Sequence, residues 1–387
     1  MSSTADGAGF RPASGAATLD GMASTPVVPA PPRVTLRSPG DLIALTPYLL
    51  GFHPTDSLVV VALRERQVAF AARGDLPGHR GPVRPVARRL VQLVASQAVD
   101  AVALLGYGPA ATADPLLRAV RHAAERRGLR IEEVLRVDAG RWWSHLCGNP
   151  DCCPPEGTPI DPGTSQVSAW CAYAGLTAVA DRQEVARRVA PITGPARAEL
   201  TRAAGRAAQT WRDLLAGVPR DRQPAAVLAA GATALQAALQ RYADGGTLDD
   251  DALAWLAVLL ESLPVRDLAW RAITTEQPHL ALWTDVTRRA DPARVAPPAC
   301  LLAFTAWRAG DGVTAGLALE RAHQADPTYS LANLLADLLR RGVPPSAVDG
   351  WPDIVGGWPE LPGGPPDQPP TPPDQPPAGQ VTRPAPA

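Results

Sequence analysis

The stretch DAVALLGYGPAATADPLLRAVRHAAERRGLRIEEVLRVD, Asp100 to Asp138, decides the fold class. It opens with a short apolar run, DAVALLGYG, closed by glycines, which has the length and composition of a buried strand. DPLLRAVRHAAERRG (Asp114 to Gly128) follows with apolar residues at helical spacing, an acidic start and a glycine stop. RIEEVLRVD (Arg130 to Asp138) reads as a second strand. Strand, helix and strand in this order make a βαβ unit, so part of the sheet is parallel.

Working outward, VRPVARRLVQLVASQ (Val83 to Gln97) has helical spacing, and SLVVVALR (Ser57 to Arg64) with VAFAARGDL (Val68 to Leu76) reads as a β-hairpin. SPGDLIALTPYLLGF predicts a helix with Ser38 as N-cap, Pro39 at the first position and Asp41 in the first turn. Beyond Asp181 the strand patterns stop. Helical patterns run to about Gly342, punctuated by Pro191, Pro219, Pro224, Pro264, Pro278 and Pro297. Between Ala296 and Tyr329, Gly310–Asp311, Ala315, Ala322 and Asp326–Pro327 fall where a tetratricopeptide repeat has its turn, small packing residues and closing proline. The triplet ADP at Ala290–Pro292 returns 35 residues later at Ala325–Pro327, against a repeat period of about 34. The expected fold is α/β, with a mixed, partly parallel sheet and helices, followed by an all-α, tetratricopeptide-like helical domain. The expected division is a disordered N-terminal segment (1–34), an α/β domain with a cysteine-rich loop (35–180), a helical repeat-like domain (181–350) and a disordered Pro-rich tail (351–387). The tail holds PPDQPP twice and favours extended polyproline II.

Composition excludes several chemistries. All 37 basic residues are arginine. Without lysine there is no Schiff base to pyridoxal phosphate, no P-loop lysine and no kinase-type lysine pair, and arginine cannot act as an amine nucleophile. The net charge of −1 supplies no global field for nucleic acid or an anionic membrane. No run of 18 apolar residues occurs, and the first residues lack the basic start and apolar core of a secretory signal. Five cysteines fit reduced thiols better than a disulfide framework, so a soluble cytoplasmic protein is expected.

Two stretches, PYLLGFHPTDSLVVV (Pro47 to Val61) and WWSHLCGNPDCCPPEGTP (Trp142 to Pro159), resemble the hallmarks of a large uncharacterised bacterial family, known from actinobacteria as a domain of unknown function. AWRAGDG (Ala306 to Gly312) and DPTYSLANLL (Asp326 to Leu335) fit the same family, over roughly residues 36 to 345. The resemblance implies membership and brings no activity with it.

Candidate sites therefore rest on chemistry. In GFHPTDS, His53, Asp56 and Ser57 carry the residue types of a nucleophile with its base, yet a run entering a strand points alternate side chains to opposite faces. The competing reading is a turn, with Pro54 fixing φ and Asp56 or Ser57 bonding backbone amides. The loop WWSHLCGNPDCCPPEG gathers His145, Cys147, Cys152 and Cys153. The C-x4-CC spacing is not the usual C-x2-C knuckle, and the side chains of adjacent cysteines are expected to diverge. Three readings stay open: a buried thiol-rich structural loop, a zinc site completed by Asp151 or Cys171, and a redox-sensitive thiol pair. Glu156 is the proton-transfer candidate beside Asp151. The glycine turn GYGP marks a place where open α/β sheets form pockets, although Asp114 at the expected helix start would repel a phosphate. Trp211, Trp255, Trp270, Trp283 and Trp307 lie in apolar helical patterns, as core or as a peptide groove.

Two functions follow. One is a non-enzymatic interaction or regulatory protein that binds a protein or peptide partner through its helical half, with no membrane or nucleic-acid partner. The alternative is a ligand-binding or metal- or thiol-dependent enzyme with its site near Cys147 to Glu156. Because the end segments offer no periodic apolar face, a fragment spanning 35–350 is expected to melt cooperatively at nearly the full-length temperature; a fall of several degrees in calorimetry would contradict this.

Overall fold

The chain enters its first helix, α1 (Pro39–Leu50), through a capping box. The Asp41 amide donates to Ser38 Oγ at 3.2 Å, and the Asp41 carboxylate accepts from the Ser38 amide at 3.1 Å. This is the start that the sequence predicts. The structure, a computed structural model, describes residues 34–78, 81–161 and 165–348. The terminal segment expected before residue 34 and the Pro-rich tail lie outside the described residues.

β1 (Ser57–Arg64) and β2 (Gln67–Asp75) form the expected hairpin, turning at Glu65 and Arg66, both at positive φ. α2 (Val83–Ala95) leads into β3 (Ala101–Tyr107), α3 (Ala110–Glu125) and β4 (Arg130–Asp138). β3 and β4 pair in parallel, as the βαβ reading requires. β5 (Arg141–Ser144) and β6 (Thr158–Pro159) then return antiparallel, and the six strands order as β2-β1-β3-β4-β5-β6. β5 is a strand that the sequence reading took for loop. The turn explains it: Ala139 and Gly140 both have positive φ, the geometry of a two-residue hairpin turn that folds RWWS back onto β4.

α3 also departs from expectation. It begins at Ala110, not at Asp114. The Pro109 carbonyl accepts from the Thr112 and Ala113 amides at 3.0 and 2.9 Å, so the first turn forms on the alanine-rich run. Asp114 therefore sits beyond the first turn and does not occupy the positive helix end.

Sheet alternation distributes the core. Leu58, Val60, Ala62, Val102, Leu104 and Val134 face α2 and α3, where Val91, Leu116, Leu117 and Val120 meet them. Val59, Val61, Ala103, Leu105, Leu135 and Val137 face the other way, into a cluster that includes Leu42 and Ile43 of α1 and continues through the helical half. That half comprises α4 (Gln166–Tyr173), which packs on α1, then α5 (Arg182–Val189), α6 (Pro195–Ala216), α7 (Gln223–Ala243) and α8 (Asp250–Leu259). It ends with α9 (Leu263–Arg271), α10 (Gln277–Arg289), α11 (Ala296–Arg308), α12 (Gly312–Ala325) and α13 (Ser330–Arg341). From Leu36 onward the described chain is one compact unit, and its secondary structure changes from mixed to helical near residue 180. No described helix is long and apolar enough to cross a membrane.

α11 and α12 form a helix hairpin with its turn at Gly310–Asp311, where the sequence places one, and Asp311 caps α12 by accepting from the Thr314 amide at 2.9 Å. α11 is buried at every position from Ala296 to Trp307. Trp283 and Trp307 are buried, and Trp211, Trp255 and Trp270 are half-buried against the core.

Close packing sets up a contrast between two helical glycines. A Cβ at Gly231 in α7 would overlap the methyls of Val265 in α9, whose β-branched side chain is fully buried, whereas a Cβ at Gly205 in α6 meets open space. Gly205→Ala is expected to raise stability by about 0.5–1 kcal/mol through helix propensity alone. Gly231→Ala is expected to lower it by about 1–3 kcal/mol despite the same propensity gain. Chemical denaturation of the two variants checks both signs.

Candidate functional site

The carboxyl ends of β3 and β4 open into a cavity of about 700 Å³. α1 supplies Asp41, Pro47 and Tyr48; the strand ends supply Tyr107 and Val137; β5 supplies Trp142. Ser38, His53, Asp161, Ser165 and Ser168 add to its polar lining. This is the position at which open α/β sheets bind ligands, and it adjoins the glycine turn that the sequence singled out. Tyr107 is buried, and its hydroxyl has no hydrogen-bond partner. Burial pushes its ionisation above the ordinary tyrosine range. A contact with Thr46, whose hydroxyl donates to the Leu42 carbonyl at 2.7 Å, opposes that shift, and it is not a well-formed hydrogen bond. The Asp41 carboxylate accepts from the Arg37 amide at 2.7 Å as well as from Ser38. Among the described residues no guanidinium lines the cavity.

β5 has two faces, and its adjacent tryptophans use both. Trp142 lines the cavity. Trp143 points away, under the Arg136 guanidinium, whose carbon lies 3.5 Å from the ring centroid. On that face the Asp114 carboxylate lies 3.4 Å from Arg136 and 3.3 Å from His145 Nε2. Trp143 Nε1 donates to the Pro155 carbonyl at 2.9 Å, and Arg141 donates to the Gly157 carbonyl at 2.7 Å. Gly157, at φ +83°, lies so close to the Trp143 ring that a Cβ there would overlap it at Cε2. A tryptophan platform thus anchors the far end of the cysteine loop.

Within the loop, Asn149 makes the turn. Its carbonyl accepts from the Cys153 amide at 2.9 Å and its side chain from the Asp151 amide at 3.0 Å. The near end is held by Ser144 Oγ, which accepts from the Leu146 and Cys147 amides at 3.2 and 3.3 Å while donating to Glu133 at 3.0 Å. The turn folds Cys152 and Cys153 back on Cys147. The sulfur of Cys152 lies 3.1 Å from Cys147 and 3.9 Å from Cys153, and all three sulfurs fall within 4.8 Å of one another. The expectation that adjacent cysteines diverge is corrected here, because the tight turn brings both side chains to one side. Hydrogen bonds from Cys152 and from the Asn149 amide hold the Cys147 thiol below its ordinary range. Its neighbours move up: hydrogen bonding to Cys147 raises Cys152, and the same contact with burial pushes Cys153 up to about 12. A trio of soft donors at this separation can hold a metal ion.

Of the expected ligands, His145 turns to Asp114 and stands outside the trio. Cys171 is buried on α4, which packs on α1 rather than folding onto the loop. Asp151 and Glu156 are exposed on the loop. His53 reaches the cavity, whereas Asp56 is exposed at φ 44° and its carbonyl accepts from the Leu76 amide at 2.9 Å. Ser57 is buried, paired in register with Tyr107 on one side and Asp75 on the other. Asp41, Tyr48, Tyr107 and Trp142 escaped the sequence reading as site residues. The signals present were the glycine turn after β3 and the tryptophan doublet, whose two faces could be told apart only once RWWS was known to be a strand.

The family model described as "Domain of unknown function (DUF4192)" matches residues 39–346. No curated protein and no solved structure matches the chain. From α1 through α13 the match takes in every helix and strand that builds the cavity and the cysteine loop, and the chain belongs to the DUF4192 family.

Proposed function

We propose that this protein binds a small organic molecule, neutral or cationic, in the cavity at the carboxyl ends of β3 and β4. The observation that carries the reading is Tyr107, a cavity-lining residue whose buried hydroxyl makes no well-formed hydrogen bond. A buried hydroxyl without a partner costs about 1–3 kcal/mol, a penalty that a ligand group placed against it would remove. The volume of about 700 Å³ suits a drug-sized ligand. Tyr48, Tyr107 and Trp142 offer apolar and aromatic surface, and Asp41 and Asp161 place carboxylates in a lining whose described residues include no arginine. That balance disfavours phosphates and carboxylates and favours amines and hydroxyl-rich or heterocyclic ligands.

Partner docking by the helical half has less support. Its tryptophans are packed in or against the core, and the cavity beside Tyr242, Leu280 and Arg288 holds only about 360 Å³.

Tyr107→Phe separates binding from folding. Removing an unpartnered buried hydroxyl is expected to leave the melting temperature unchanged or higher. A screen of amines, nucleosides and sugars by thermal shift should yield compounds that raise the wild-type midpoint. Calorimetric titration of those compounds into Tyr107→Phe should show affinity reduced about tenfold, the equivalent of one hydrogen bond. Preference for phosphates or carboxylates over amines, or equal affinity in the variant, would sink the reading.

A further inference from the structure

No residue between His145 and Glu156 is buried, and the segment contains no helix or strand beyond the end of β5. A solvated twelve-residue excursion of this kind has no apolar core of its own. Its two ends are nevertheless fixed, by Ser144 on one side and by the Trp143 platform under Pro155 and Gly157 on the other. Between those ends three sulfurs converge. Small excursions that lack a core are commonly held by a cross-link or a metal. The separations fit the second. Sulfurs joined in a disulfide lie about 2.05 Å apart, whereas Cys147 and Cys152 stand at 3.1 Å and all three cysteines are free. A tetrahedral zinc ion with bonds of about 2.3 Å sets its sulfur ligands about 3.8 Å apart. Cys152 and Cys153 are already at 3.9 Å, and the closest pair needs to open by less than an ångström.

We propose that Cys147, Cys152 and Cys153 bind one zinc ion as a three-thiolate set with its fourth position open to water or to a ligand from outside the chain. Three S–H bonds release their protons to solvent as three Zn–S bonds form, leaving one net negative charge on the site. The fourth position is open because His145 is engaged by Asp114, and among the described residues neither Asp151 nor Cys171 joins the three converging sulfurs. Cys152 is the exposed member of the trio, so the ion would face solvent on that side. Three protein ligands and one exchangeable position is the arrangement of reactive rather than purely structural zinc. This inference is independent of the cavity reading, since it rests on residues of the opposite face of β5.

The full chain, reduced and stripped with a chelator, is titrated with zinc sulfate against a chromophoric competitor while native mass spectrometry counts the ions. One zinc per chain is expected, with a change in tryptophan emission because the loop lies on Trp143. Cys147→Ser, Cys152→Ser and Cys153→Ser should each weaken binding about tenfold or more. His145→Ala should keep one zinc at unchanged affinity. Since no loop residue is buried, these variants should keep the wild-type far-ultraviolet circular dichroism, which separates lost metal from lost fold. Failure of the reduced chain to take up zinc would overturn the proposal, as would zinc retained by Cys147→Ser. A Cys147–Cys152 disulfide in the isolated chain, with no zinc uptake after its reduction, would also overturn it. Zinc lost in His145→Ala would overturn the open fourth position.

Discussion

Two adjacent strands, β1 and β3, have almost no side that can face water. β3 is buried at every residue, and β1 from Ser57 to Ala62. Each buried valine or leucine side chain contributes about 1.5–3 kcal/mol, but only if both faces are covered. α2 and α3 cover one face, while α1 covers the other together with the cluster that runs into the helical half. The helical half is therefore the second lid of the sheet rather than an appendage. The parallel phe–val bridge between Phe52 and Val179 and the hydrogen bond from Gln97 to the Gly342 carbonyl tie its two ends to the α/β half.

The same alternation shapes the sites. A strand of four residues carrying two consecutive tryptophans must send them to opposite faces. One becomes cavity wall and the other the platform of the cysteine loop, so two dissimilar environments share a single piece of backbone. The ion pairs beneath Trp143 are also short-range consequences of that placement, since Arg136 stands directly opposite Trp143 in the β4–β5 register.

What the sequence makes legible is local chemistry. Ser38, Pro39 and Asp41 announce α1 because a capping box needs only neighbours in the chain. The hairpin and the βαβ unit show through their periodicity. The fold class, mixed sheet first and helices after, follows from those same patterns. β5 did not show, because four residues become a strand only against a partner. The start of α3 was misplaced because Asp-Pro looks like a cap, while the Pro109 carbonyl had already begun the helix. The sulfur trio was illegible for a different reason. Its convergence depends on the turn at Asn149, and spacing alone treats Cys152 and Cys153 as diverging. The cavity draws on α1, two strand ends, β5 and the start of α4, a conjunction that no single window of sequence contains.

α11 carries a consequence for the order in which the chain can mature. Its whole circumference from Ala296 to Trp307 is apolar or buried, so it has no polar face on which to rest alone. Its cover comes from α9 and α10, made before it, and from α12 and α13, made after it. During synthesis from the amino end, the α/β half can close over the α2–α3 face early. α11, in contrast, keeps the side that α12 and α13 cover open until residues up to Arg341 have left the ribosome. Nascent chains halted within that interval present the α12-facing side of α11 as an apolar strip with nothing yet made to bury it.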